Sequence, residues 1–254
     1  MTRIDSFAPP LATAGGEVLA VVFGTLARLR DDRPLHPQGA SFAGTVTTTG
    51  YGRSGVPWLD RPARHEVRVR VSRAVGLPRW MPDIHGIALR ARVAGGRPAD
   101  LLFASTGDSL GGRLLFRPRR AVGTGPLTTL LPVRSPNGAL VLRLTATTAQ
   151  PEGVLTPPST MALAYAHGAG PWRQCAELRV GARLDRAEVE RHDPVLNLLP
   201  GTEQYPAVRA LREPSYRSAR AVPVIESSDA TVTTGHPGRA GRAADRALRR
   251  DGAS

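Results

Sequence analysis

The chain contains no lysine: all 34 of its basic residues are arginine. Against 21 acidic residues they leave a formal charge of +13 and a sequence pI near 11.4. Guanidinium stays charged and grips carboxylates through two bonds, which an ammonium cannot do. A complete lack of lysine over 254 residues nevertheless reads as compositional bias rather than as selection for phosphate contacts. No basic stripe interleaved with aromatics and no nucleic-acid motif is present, so nucleic acid is not expected as a partner. Cysteine is almost as scarce. Cys175 stands alone, which excludes an internal disulfide and any cysteine-based zinc or iron–sulfur site. The alternation of residues 172–180 makes it a packed small hydrophobe rather than a nucleophile. Long apolar runs are missing too. The longest, residues 18–24, is far too short to span a bilayer, and no basic n-region precedes an apolar h-region, so a cytoplasmic protein without integral membrane contact is expected.

What is present is a globular composition, 41% hydrophobic and 22% charged, in a chain long enough to bury a core without disulfides or metal. Residues 1–15 are rich in Pro, Ala and Thr and are expected to be loose. Between 17 and 30 the apolar residues fall at 18, 19, 22, 23, 26 and 29, which predicts an amphipathic helix with Arg28 and Arg30 in its last turn. From residue 39 the period changes to two. Strands are expected at 40–48, 66–73, 87–93, 101–103, 127–133, 139–147, 161–166 and 174–181. Gly/Pro clusters at 50–57, 76–82 and 95–98 separate the early strands, and Ser135-Pro136-Asn137-Gly138 and residues 167–171 supply turns of hairpin length. Eight short strands with such punctuation predict an antiparallel barrel or sandwich wrapped around one interior.

Helical patterns follow at 184–191 and 206–220. Beyond about 222 the apolar period disappears, and residues 223–254 are expected to be a disordered arginine-rich tail. Residues 217–254 carry seven arginines and four acids, a net of +3. The expected organisation is therefore a loose stretch 1–15, one α+β domain over 16–222, and the tail.

Conventional catalytic signatures are missing. The six histidines, at 36, 65, 85, 167, 192 and 236, form no metal-ligand pair at helical or strand spacing. There is no G-x-S-x-G elbow, no Walker loop, and no G-x-G-x-x-G after a strand. Taken singly, each histidine is more readily structural than functional.

Five segments change that reading in combination. Arg33-Pro34-Leu35-His36 leads into Gly39-Ala40-Ser41-Phe42-Ala43-Gly44, and the first expected helix hands over to the first strand there. Further on come Val69-Arg70-Val71-Ser72, the run Asp83-Ile84-His85-Gly86-Ile87-Ala88-Leu89-Arg90, Asp100-Leu101-Leu102, and Arg212-Glu213-Pro214-Ser215-Tyr216. In this order they resemble the haem catalases, where an Arg precedes the distal His by three residues, a Val-Arg-Phe-Ser strand and an Asp-Pro-Arg-Gly-Phe-Ala turn follow, and Arg-x-x-x-Tyr supplies the proximal ligand. The chain is much shorter than a full catalase and resembles the compact catalase-related haem proteins.

The resemblance implies an eight-stranded antiparallel β-barrel of the catalase kind, with an N-terminal helix and C-terminal helices. It implies haem b, held through iron by the phenolate of Tyr216, with Arg212 one turn away favouring the charged form. In that scheme Pro214 falls in the first turn of a helix that begins near Arg212. Arg33 and Arg70 would pair with the propionates, a pairing in which guanidinium can be bidentate. His36 would act as distal acid/base, with Ser72 fixing its tautomer and tilt. The substrate would be peroxide or a small organic hydroperoxide, and homo-oligomerisation is left open.

Two departures qualify the activity. Ala104 stands where the family has its distal Asn, and a methyl cannot donate a hydrogen bond; Ser105 and Thr106 are the neighbouring candidates to replace it. His85 stands where the family has an Arg. Losing one preorganised donor typically costs about a hundredfold to a thousandfold in rate, so a weak peroxidase is the expectation. The competing expectation is a barrel that keeps the fold, has lost haem or turnover, and serves as a ligand-binding module.

Overall fold

The computed structural model of the protein describes residues 39–221 apart from 75, 79, 149–154, 156 and 185–191. Arg33, His36, the expected helix at 17–30, the stretch 1–15, the tail at 223–254 and nearly all of the helical pattern at 184–191 lie outside these residues. Within them the period-two segments form ten strands: β1 (Ala40–Thr48), β2 (Ala63–Arg73), β3 (His85–Arg92), β4 (Pro98–Ser105), β5 (Leu127–Thr128), β6 (Val133–Ser135), β7 (Gly138–Ala146), β8 (Ser159–His167), β9 (Arg173–Arg183) and β10 (Glu203–Gln204). Two α-helices accompany them, α1 (Pro57–Asp60) and α2 (Pro206–Ala221).

Eight strands close on themselves in the order β7-β5-β4-β3-β2-β1-β9-β8, with β8 pairing back to β7. Every pairing is antiparallel. Closure leaves the barrel with no free edge. Alternation decides what fills it. Along β3 the buried His85, Ile87, Leu89 and Ala91 point inward, and Gly86, Ala88, Arg90 and Arg92 point outward. The register Phe42↔Val69↔Leu89 carries the same inward layer across three strands. One mouth is plugged by the buried Trp58 and Leu59 of α1, whose loop is tied by Asp60 accepting from Ser54 N and Oγ, both at 2.8 Å, and from Gly55 N at 2.9 Å. Trp58 also stacks on His65, with ring centroids 4.5 Å apart.

The expected strand at 127–133 is interrupted. Leu130 has φ of 61°, and the Leu131 amide turns back onto Thr129 O at 2.6 Å, so β5 ends at Thr128. The side chains of Leu130 and Leu131 are both buried, and their packing overrides the extended preference of the run. After the break β6 leaves the barrel, forms the expected hairpin with β7 through Pro136 and Asn137, and carries β10 on its outer edge.

α2 also differs from expectation at one point. It starts at Pro206, six residues before Arg212, so Pro214 lies inside the helix rather than in its first turn. Proline there has no amide to offer the carbonyl of Ala210, and it is tolerated because side chains dock this helix onto the rest of the chain. Cys175 behaves as expected: it is buried inside β9, and burial pushes its thiol up to about 12.

Candidate functional site

The outer face of the barrel carries the described site residues of β2. Arg70 and Ser72 alternate with the inward Val69 and Val71, so both point away from the core. The register extends their surroundings into two rows. One runs Ser72, Gly86, Ala104, Thr128 across β2 to β5, and the other runs Ser41, Arg70, Ala88, Leu102 across β1 to β4. The centre of this wall is made of half-buried glycine and alanine. A Cβ on Gly86 would meet Ser72 Oγ at 3.1 Å, so the glycine keeps the wall clear next to the serine. At its other side the Arg70 guanidinium lies against Gly39, where a Cβ would come within 2.7 Å of Nη2. Burial lowers the pKa of Arg70, which marks a guanidinium partly withdrawn from water.

α2 brings the other two described residues together. Arg212 and Tyr216 are one helical turn apart on one face. Arg212 donates through Nη2 to Thr129 O at 3.4 Å, at the residue following the end of the first row. Burial lowers its pKa, and the charge that opposes this is that of Tyr216. A desolvated cation beside a phenol favours the phenolate. Leu102, Thr129, Leu131, Leu199 and Arg212 are among the residues lining a partly open cavity of about 40 Å³ beside the base of α2.

A polar network holds α2 in place, and sequence reasoning did not find it. The Asp100 carboxylate, on the outer face of β4, takes two bonds from Arg90, at 2.7 Å and 2.8 Å. It also accepts from the amide of Asp193 at 2.7 Å and from Asn197 Nδ2 at 2.7 Å. Burial pushes this carboxyl up, and the bonds from Arg90, Asn197 and the Asp193 amide more than offset that, so it sits below the ordinary carboxylate range. Asp193 in turn accepts from Arg220 of α2 at 2.6 Å, and Arg220 also holds Glu213. Asp100 and Arg90 both fall in the quoted segments, with nothing there to join them. The other partners of Asp100 lie 93 and 97 residues away, beyond any local pattern.

Of the two candidates to replace the missing donor at Ala104, Ser105 is occupied. It points inward, donates to Arg117 O at 2.8 Å and accepts from the His85 amide at 3.1 Å. Thr106 follows on the outer side. His85 is not on the wall at all: it is buried inside the barrel end, with Nε2 2.9 Å from Arg119 O, which assigns the proton to Nε2. Its pKa is lowered, chiefly by burial. Among the described residues no group of three or more His, Cys, Asp or Glu could hold a metal ion, and no helix is long and apolar enough to cross a membrane.

No family model and no curated protein matches the chain. Several solved structures resemble it, two catalases among them. One is a bacterial catalase, with a TM-score of 0.53 and 12% identity over 87% of this chain and 63% of that one. The other is a fungal catalase, with a TM-score of 0.52 and 11% identity over 86% of this chain and 64% of that one. The barrel therefore has the catalase-like fold, in a chain that spans slightly less than two thirds of the length of these catalases.

Proposed function

We propose that the protein is a catalase-related haem b protein that reduces peroxide or a small organic hydroperoxide slowly. The observation that carries this reading is the geometry of α2: Arg212 and Tyr216 lie one turn apart on one face, with Arg212 half-buried and donating to Thr129 O. A ferric haem would take the Tyr216 oxygen as its protein ligand, and the neighbouring guanidinium would favour the charged form of that oxygen. The chemistry of the donor set fits haem, with an oxygen ligand on the helix and a partly desolvated Arg70 suited to a propionate. The small-residue wall of Gly86, Ala88 and Ala104 offers a half-buried apolar face to a flat macrocycle.

Bound haem would supply the redox chemistry with peroxide. The chain's own residues do the rest. Tyr216 would present its oxygen, with Arg212 one turn away on the same face. Arg33 and Arg70 would hold the propionates, a pairing for which guanidinium is suited. His36 would take a proton from one oxygen of peroxide and return it to the departing one, and Ser72 would fix its tautomer. Ala104 turns a methyl to the same wall and donates nothing, which is why turnover is expected to be slow.

Reconstitution with haem b tests the reading. The full chain should acquire a Soret band, and Tyr216→Phe should lose or strongly shift it while the melting curve is retained. A wild-type chain that stays colourless after reconstitution, or a Tyr216→Phe spectrum identical to wild type, refutes the ligand assignment.

A further inference from the structure

We propose that the loop joining β2 to β3, tipped by Trp80, seats the protein peripherally on an anionic lipid surface, with Arg117 and Arg120 supplying the charge beside it. The haem reading plays no part in this. Trp80 is 75% exposed, and its exposure is not that of a loose loop. The buried Asp83 carboxylate accepts from the amides of Gly76 at 2.9 Å, Leu77 at 3.2 Å and Ile84 at 2.7 Å. Arg73 lies 3.3 Å from the same carboxylate and donates to the carbonyls of Pro78 at 3.3 Å and Met81 at 3.1 Å. The Met81 amide closes a turn onto Pro78 O at 2.9 Å. A buried ion pair thus fixes a turn that holds a large indole in water, with the exposed Pro78 and Pro82 and the half-buried Leu77 and Met81 in the same loop.

The flank of this turn is cationic. Asp83 and Arg119 exchange backbone hydrogen bonds, both at 2.9 Å, which sets the exposed Pro82 opposite the exposed Arg120. The Arg119 guanidinium is spent on Thr124 O and Thr106 O, while Arg117 and Arg120 on either side of it in the chain are exposed. Residues 109–126 contain four arginines and no acidic residue, and residues 74–82 contain no acidic residue either. Asp83 is buried against Arg73 and cannot answer the exposed charge. An indole, apolar in its body with one N–H to offer, suits the headgroup boundary of a bilayer. A single apolar anchor binds a bilayer only marginally, and each cation near an anionic leaflet strengthens it about fivefold. A stable protein partner would ask for roughly 800 Å² from each side, whereas the exposed apolar contact here is confined to one turn.

The test mixes the full chain with vesicles of phosphatidylcholine, with and without phosphatidylglycerol, and reads binding by co-sedimentation and by tryptophan emission. Trp80 is the exposed one of the three tryptophans, so emission should shift to the blue with the anionic vesicles and not with the neutral ones. Trp80→Ala should lose the shift and weaken binding about tenfold, and Trp80→Phe should recover most of the affinity. Arg117→Gln/Arg120→Gln should weaken binding about twenty-five-fold. Arg64→Gln/Arg179→Gln lowers the net charge by the same amount elsewhere on the surface and should stay within about twofold of wild type. All of these side chains are exposed, so each variant should melt with the wild type. Wild type that binds neither kind of vesicle, or both alike, overturns the proposal, as does Trp80→Ala that binds as tightly as wild type. A loss in Arg64→Gln/Arg179→Gln equal to that in Arg117→Gln/Arg120→Gln assigns the affinity to net charge and overturns it too.

Discussion

Replacing Asp100 by alanine should be among the most damaging single changes outside the apolar core. Its carboxylate is fully buried and accepts four hydrogen bonds, two from Arg90 and one each from the Asp193 amide and Asn197. Alanine leaves the Arg90 charge, whose side chain is only 21% exposed, without its anion, and leaves two further donors without an acceptor. Breaking a buried pair by removing one partner costs about 3–5 kcal/mol. Arg90 keeps some access to water, which argues for the lower half of that range, about 3 to 4 kcal/mol. This is a large part of the roughly 5–15 kcal/mol available to a domain, and it corresponds to a fall in Tm of about 10 °C. Urea unfolding followed by tryptophan fluorescence at neutral pH measures it, with Arg64→Ala as the control, since the exposed Arg64–Glu66 pair should contribute less than about 0.5 kcal/mol. The double variant Arg90→Met/Asp100→Leu removes both charges and should recover part of the loss. The folded carboxyl is held below its ordinary value of 3.8, so its contribution is complete above that pH and is lost as the pH falls from there through the lowered folded value. A measured loss below about 1 kcal/mol for Asp100→Ala, or a double variant worse than the single, would refute the reasoning.

Three further outcomes follow from the same structure. Gly86→Val should fill the wall beside Ser72, abolishing haem uptake as read from the Soret band while changing stability by no more than about 1 kcal/mol, because a β-branched residue suits a strand. His85 is held neutral by burial, so the folded state binds fewer protons than the unfolded chain below the ordinary value of 6.5. Stability should therefore decline as the pH falls from there, and His85→Gln should flatten that decline in melting curves between pH 7 and pH 5. Cys175, buried and with its thiol pushed up to about 12, should react with a disulfide reagent only at the rate at which the chain opens, and prompt labelling of the folded protein would contradict its placement.

The eight strands of the barrel were legible because the alternation of side chains is local, and a window of eight residues contains it. Segment 40–48 needed no correction, and the expected 66–73 missed only the first three residues of β2, Ala63 to His65. Segment 127–133 failed because the burial of two consecutive leucines at 130 and 131 is a tertiary demand, met by a left-handed Leu130 that no period-two pattern predicts. The start of α2 was misplaced in the motif reading for a related reason. Pro214 is a good first-turn residue in isolation, and only the docking of the helix through Arg212 and Arg220 makes it acceptable in the interior.

The site was less legible because it lies outside the barrel. The alternation that sends Val69, Phe103 and Ser105 inward also sends Arg70, Ser72, Ala104 and Thr106 outward, and the sequence says only that the two sets differ, not which faces the chemistry. Register resolves this, since Ser72, Gly86 and Ala104 are neighbours only through strand pairing. An outward wall has no lid of its own and depends on a separate element to face it. α2 is that element, and its position is set by bonds that join Asp100 to Asp193 and Asp193 to Arg220, residues far apart in the chain. Substitutions in this network that leave the barrel folded should therefore disturb Tyr216 before they disturb Arg70 or Ser72, which belong to the barrel itself. In the haem-loaded protein, Arg220→Ala is accordingly expected to change the spectrum of the proximal ligand more than it changes the melting temperature, and an altered Tm with an unchanged spectrum would separate the network from the site.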